Sequence, residues 1–155
     1  MFYDCKNLEV LDVSYFDTKY SFSFESMFEG CLKLESIDVS RFKSSQCITI
    51  KRMFKNCKAL VNIDLYNWDM KNIGYNQEHA IDELFLNCKK LKNIKMNTNF
   101  EDINKLKIKD ALYKNPYFTP IFQGIAKNGI FTYKKGFKCD FLLNEVPTNW
   151  RRIEK

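Results

Sequence analysis

The sequence lacks most of the groups that catalysis and metal binding draw on. Its 155 residues hold one histidine, His79, and none of its six cysteines stands in a C-x-x-C pair. A histidine- or thiolate-based metal site therefore has no ligand set at workable spacing. No glycine-rich phosphate loop, G-x-S-x-G or H-E-x-x-H occurs. The expectation is a protein that is not an enzyme, with no catalytic residue, no metal and no cofactor. No apolar run approaches the roughly 20 residues that cross a bilayer. Nor does a basic n-region precede an apolar stretch, because Met1 and Phe2 already belong to the repeat described below. Two expectations follow: a piece of a longer exported protein, or a true start at Met1 with export by another route. The net charge of +6 is not gathered into a stripe. Lys89, Lys90, Lys105, Lys107, Lys109, Arg151 and Arg152 make the C-terminal half the more basic, but no reader motif accompanies them. Nucleic-acid binding is disfavoured on that ground.

What is present is a folded, repetitive chain. Hydrophobic residues at 45% and aromatics at 15% suffice for a core and argue against disorder. The length fits one domain. The run MFKNCKALVNIDL from Met53 to Leu65 has three relatives, beginning at Met1, Met27 and Leu84. Cys5, Cys31, Cys57 and Cys88 register the copies at spacings of 26, 26 and 31. Such self-similarity predicts a solenoid in which each coil meets its neighbours.

Two hydrophobic periods succeed each other in every copy. Phe24, Met27, Phe28, Cys31 and Leu34 fall at i, i+3, i+4, i+7 and i+10, and the sets beginning at Ile50 and Ile81 repeat this. The spacing predicts a short helix. The period then drops to two at Leu11 and Val13, Ile37 and Val39, Ile63 and Leu65, and Ile94 and Met96, which predicts a half-buried strand. Phe16, Phe42 or Trp68 follows eleven residues after the cysteine and closes the coil. The expected fold is an α/β repeat solenoid with short parallel strands on one side and short helices on the other.

These residues resemble the BspA-like leucine-rich repeat, M-F-x-x-C-x-x-L-x-x-L-D-L-S followed by F-D-T. The first copy matches through Ser14, Phe16, Asp17 and Thr18. The second keeps Asp38, Ser40 and Phe42. The third has Tyr66 for the serine, and the fourth has Lys95 for the aspartate. The resemblance covers residues 1–100 and implies a leucine-rich-repeat-like right-handed coil stack. It also implies a non-enzymatic surface or secreted protein used in adhesion and partner binding.

The four repeat cysteines are expected as a ladder of buried, unbridged thiols, small hydrophobes with parallel Cβ vectors. Cys47 and Cys139 lie outside the ladder and are read as the reactive or paired thiols. On the outward strand face Asp12, Asp38 and Asp64 should stack about 5 Å apart, ending at Lys95. Their repulsion is offset by turn N–H groups, by Arg41 or a lysine, or by a bound cation. With Ser14, Ser40, Tyr66 and Asn97 they form the expected interaction face. The third coil's longer link carries Gly74, Tyr75 and His79, where insertions in repeats often bind. His79, beside Glu78 and without a nucleophile pattern, reads as a surface-loop residue. The first coil's exposed strand and apolar edge open a route to self-association, unless Phe2 and Tyr3 fold over the end.

Residues 101–155 are expected to form a C-terminal cap. A helix from Glu101, with Ile103, Leu106 and Leu112 inward, ends before Pro116. GIFTYKK then gives a strand and turn, and Trp150 plugs the core. The functional expectation is a module that binds a protein or surface glycan through its sheet face. The alternative is a structural part of a cell-surface layer or virion. Cell-surface or extracellular location follows from the resemblance, with cytoplasmic or virion association left open by the lack of a signal.

Overall fold

The computed structural model describes residues 1–77, 79–100, 120–134 and 140–155. Its centre is a four-stranded parallel sheet in the order β1 (Asn62–Leu65), β2 (Asn93–Met96), β3 (Ile130–Tyr133), β4 (Arg151–Glu154). The register pairs Ile63 with Ile94 and Phe131, and Leu65 with Met96 and Tyr133. Parallel neighbours need a crossover between them, and the repeat supplies one per strand. Period-two alternation is obeyed in β1 and β2, where Ile63, Leu65, Ile94 and Met96 face inward. The corresponding stretches in the first two copies do not join the sheet. Ile37 and Val39 are buried around an exposed Asp38, yet they pair with no strand, and the nearest backbone bond runs from the N–H of Val61, just before β1, to the Glu35 carbonyl. The fold is thus α/β and repeat-like; two of the four expected repeat strands form, and the sheet's other two come from beyond residue 100.

The opposite wall departs from expectation: the predicted helices are turns. A helix would send each N–H to the carbonyl four residues back. Here Met27 bonds to Phe24, Cys31 to Phe28, Met53 to Ile50, Cys57 to Phe54, Leu84 to Ile81 and Cys88 to Phe85, all three residues back. The third residue of each such turn has positive φ: Ser26, Gly30, Arg52, Asn56, Glu83 and Asn87, from 52° to 77°. An i→i+3 bond with positive φ at i+2 is the type II turn; two follow each other in the copies at Met27, Met53 and Leu84, and one, from Phe2 to Cys5, stands in the first. The intervening N–H groups donate to the next copy instead. Phe2 bonds to Met27 O, Phe28 to Met53 O, Phe54 to Leu84 O and Phe85 to Ile121 O, at 2.9 to 3.1 Å. Apolar residues at turn corners reproduce the i, i+3, i+4, i+7 spacing without a helix. The one α-helix among the described residues is α1 (Asp140–Glu145).

Inside, equivalent residues pile up. Phe2, Phe28, Phe54, Phe85 and Phe122 form a continuous ring stack with centroids 5.6 to 5.9 Å apart. Phe16, Phe42 and Trp68 form a second stack, at 6.4 and 5.9 Å. Offset stacking at these separations stabilises by about 0.5–1.5 kcal/mol per pair beyond burial. Phe122 and β3 continue the pattern past residue 100, so the stretch 120–134, where only the strand at GIFTYKK was expected, adds a further rung. Trp150 is 4% exposed, and its indole N–H donates to the Ala126 carbonyl at 2.9 Å. Its ring lies where a side chain on Gly129 would sit, which fixes glycine there. The expected helix at 101–116 and Cys139 lie outside the described residues.

Candidate functional site

The outward sheet face starts from short polar side chains at strand ends. Asp12, Asp38 and Asp64 each accept the N–H two residues ahead, from Ser14, Ser40 and Tyr66, at 2.8 to 2.9 Å. These Asx turns fold the chain away from the face. They also hold the Asp12 and Asp38 carboxyls below their usual range: the backbone N–H of Ser14 dominates at Asp12, the hydroxyl and N–H of Ser40 at Asp38. Arg41 lowers both further. Lys95 closes the row on Asp64 at 2.9 Å, both groups about half exposed. An exposed pair of this kind contributes at most about 1 kcal/mol, so its value is positional. Among the described residues no cluster of three candidate metal ligands occurs.

Between the second copy and β1 the face opens into a groove of about 530 Å³, lined by Ser36, Ile37, Asp38, Asn62, Ile63, Asp64, Asn93 and Lys95. It exists because residues 36–39 do not pair with β1, which parts the wall there. Ser36, Asn62 and Asn93 were missed by the sequence reading. Each stands two residues before the acidic or lysine position, so period two placed them on the same face. Asn93 Nδ2 donates to Asn62 Oδ1 across the strands.

Other anticipated residues stand elsewhere. Asn97 is not on the open face: it is 5% exposed and donates to the Trp68 carbonyl at 2.6 Å. It caps the strand end internally, as buried amides must. Tyr66 is half-buried, and its hydroxyl donates to the Lys155 carbonyl at 3.0 Å. Ser14 and Ser40 flank the face as turn residues. His79 is half-buried with Nδ1 2.7 Å from Asp82 Oδ2, a loop-bracing pair. Among the described residues no hydroxyl or thiol joins that ring.

Four buried thiols show no sign of reactivity. Cys31 donates to the Phe2 carbonyl, Cys57 to Phe28 and Cys88 to Phe54, at 2.9 to 3.2 Å. All described cysteines are free. Cys47, expected to be reactive or paired, is fully buried and donates to the Thr49 carbonyl. Burial pushes Cys31 and Cys47 up to about 11 and Cys88 up to about 12, and raises Cys57 as well. Thiolate chemistry needs the opposite shift.

Residues 1–100 match the family described as "Mycoplasma protein of unknown function, DUF285". The chain belongs to the DUF285 family. No curated protein and no solved structure matches it. The DUF285 match contains the ring stacks from Phe2 to Phe85, the thiol ladder and strands β1 and β2. It stops short of the last two strands. Among the described residues of this DUF285 protein no helix is long and apolar enough to cross a membrane.

Proposed function

We propose that this DUF285 chain is a non-enzymatic binding module, a BspA-like, leucine-rich-repeat-type solenoid. Its coils wind right-handed, the hand that parallel crossovers favour. Its partner is a protein or a surface glycan, and its place is the cell surface or the extracellular space. The observation that carries this reading is the groove between residues 36–38 and β1. Fixed carboxylates, amides and a lysine surround an apolar floor at Ile37 and Ile63. That mixture of an apolar centre with a polar rim is the anatomy of a recognition surface. The test is a binding screen of the immobilised protein against extracellular-matrix proteins and a glycan array, repeated with Asp64→Ala, Asn93→Ala and Lys95→Ala. A hit that loses at least tenfold in affinity on these changes supports the groove. Hits that all ignore them place binding elsewhere.

A structural role in an assembly is the second reading, and the apolar first coil favours it. Size-exclusion chromatography with light scattering separates the two. Discrete oligomers or filaments speak for the assembly, and a monodisperse monomer for the module.

A further inference from the structure

Basic residues that are scattered in sequence are gathered by the fold onto one edge. In each copy the N–H three places after the cysteine donates back to it: Leu8 to Cys5, Leu34 to Cys31, Leu60 to Cys57 and Leu91 to Cys88. The two residues between form the corner where the turn wall meets the sheet. Lys58, Lys89 and Lys90 stand at these corners and Lys92 just beyond, all exposed. The Ala126 N–H donates to Leu91 and the Ile130 N–H to Lys92, which brackets exposed Lys127 against Lys92. Exposed Arg151 opens β4 on the next rung, its N–H donating to Gly129. From β1 to β4, with strands 4.7–4.9 Å apart, these six cations line roughly 15 Å of one edge. We propose that this edge is a docking site for a sulfated polysaccharide, and it shares no residue with the groove on the sheet face.

The charge is unopposed, which distinguishes it from the same edge in the first two copies. Four places after the cysteine those copies carry Glu9 and Glu35, and Lys33 lies 3.5 Å from the Glu9 carboxylate. The third and fourth copies carry Val61 and Lys92 there. Among the described residues none of the six cations has an acidic partner. Like charges on neighbouring rungs repel. A polyanion laid along them removes that repulsion and releases its own counterions.

The edge also discriminates among polyanions. Five of the six cations are lysines, compact point charges without the planar fork that grips phosphate through two bonds. Proteins that bind nucleic acid without sequence preference stack its bases on aromatic rings. Here the exposed aromatics among the described residues lie elsewhere, at Tyr3, Tyr15, Tyr20 and Phe22 in the first copy and at Tyr75. Trp150, beside Arg151, is buried with its indole N–H committed to Ala126. Closely spaced ammonium groups with no stacking platform suit sulfates, each singly charged, carried along a sugar chain.

The test measures binding of the full chain to a fluorescent heparin octasaccharide over a range of NaCl concentrations. The logarithm of the affinity should fall linearly with the logarithm of salt. Lys89→Gln, Lys90→Gln and Lys92→Gln together should weaken binding at least tenfold and flatten that slope. The charge-matched set Lys19→Gln, Lys43→Gln and Lys71→Gln, exposed elsewhere, should change it less than twofold. Desulfated heparin should not bind. Equal losses in the two sets overturn the proposal, because net charge alone would then be the cause. So does an absence of binding at low salt, and so does duplex DNA or polyglutamate bound as tightly as heparin. A hit in the groove that is lost on Asp64→Ala stands whatever heparin does, so the two readings fail separately.

Discussion

Each buried repeat thiol reaches one carbonyl in the coil before it and has no exposed surface. Such a group titrates late. In the unfolded chain a thiol ionises near 8.5, whereas in the folded protein Cys31 and Cys47 hold their protons to about 11. Below pH 8.5 both states are protonated and the full contribution is present. Above it the unfolded chain binds fewer protons, so stability falls as pH rises towards 11. Thermal unfolding should be flat to about pH 8 and then drop. Cys47→Ala should flatten that drop by about 1.4 kcal/mol per pH unit, one proton's worth. An equally steep fall in the variant would acquit the thiols. The carboxyl of Asp38 runs the other way. Its folded value is depressed by Ser40, so its contribution is present above about pH 3.9 and lost as pH falls through the folded value. NMR titration should find it below the ordinary carboxylate range, and Ser40→Ala should move it up by loss of the hydroxyl donor.

The tandem type II turns are the element on which the molecule's regularity rests. Asn56 sits at φ 60°, a conformation costing a residue with an ordinary Cβ roughly 1–2 kcal/mol and glycine little. Asn56→Gly should leave the denaturation midpoint nearly unchanged, and Asn56→Val should lower stability by about 1–2 kcal/mol. Equal losses in both variants would show that the Asn87 Nδ2 to Asn56 Oδ1 bond, not the backbone, sets the residue. The ring stack gives a second contrast. Phe54 is fully buried between Phe28 and Phe85, so Phe54→Ala should cost about 3–5 kcal/mol. Half-buried Phe2, at the end of the stack, should cost distinctly less when truncated. Chemical denaturation of the two variants checks the order. The stack itself was legible, because the Met-Phe-x-x-Cys positions recur with their neighbours. The turns were not, since corner residues three and four apart mimic the helical period. Of the rung at 120–134 only the strand at GIFTYKK was legible, because Ile121–Phe122 and Gly124–Ile125 stand in for Met-Phe and Asn-Cys. The recess beside β1 escaped because nothing in Ser36–Val39 distinguishes a paired strand from an unpaired one.

For the whole molecule, stacked coils imply stability that varies along the axis. Coils with neighbours on both sides should open least, and the first coil, with its half-buried Cys5, Leu8 and Leu11, should open first. Hydrogen exchange should show protection rising from residues 1–26 to a maximum around Met53–Met96. Uniform protection would mean a single cooperative unit. The hydrogen bonds of the turn wall bear on the first coil in another way. Those of the paired turns, from Phe2 to Phe85, point to the next coil in chain order, whereas the N–H groups of Ile48, Val61, Lys92 and Ile130 point back. The turn wall therefore presents carbonyl oxygens at its first coil, where an α-helix presents N–H groups. The acidic excess on residues 1–26 lies beside these partial negative charges. Dissolved salt, by screening that conflict, should tighten the first coil in particular.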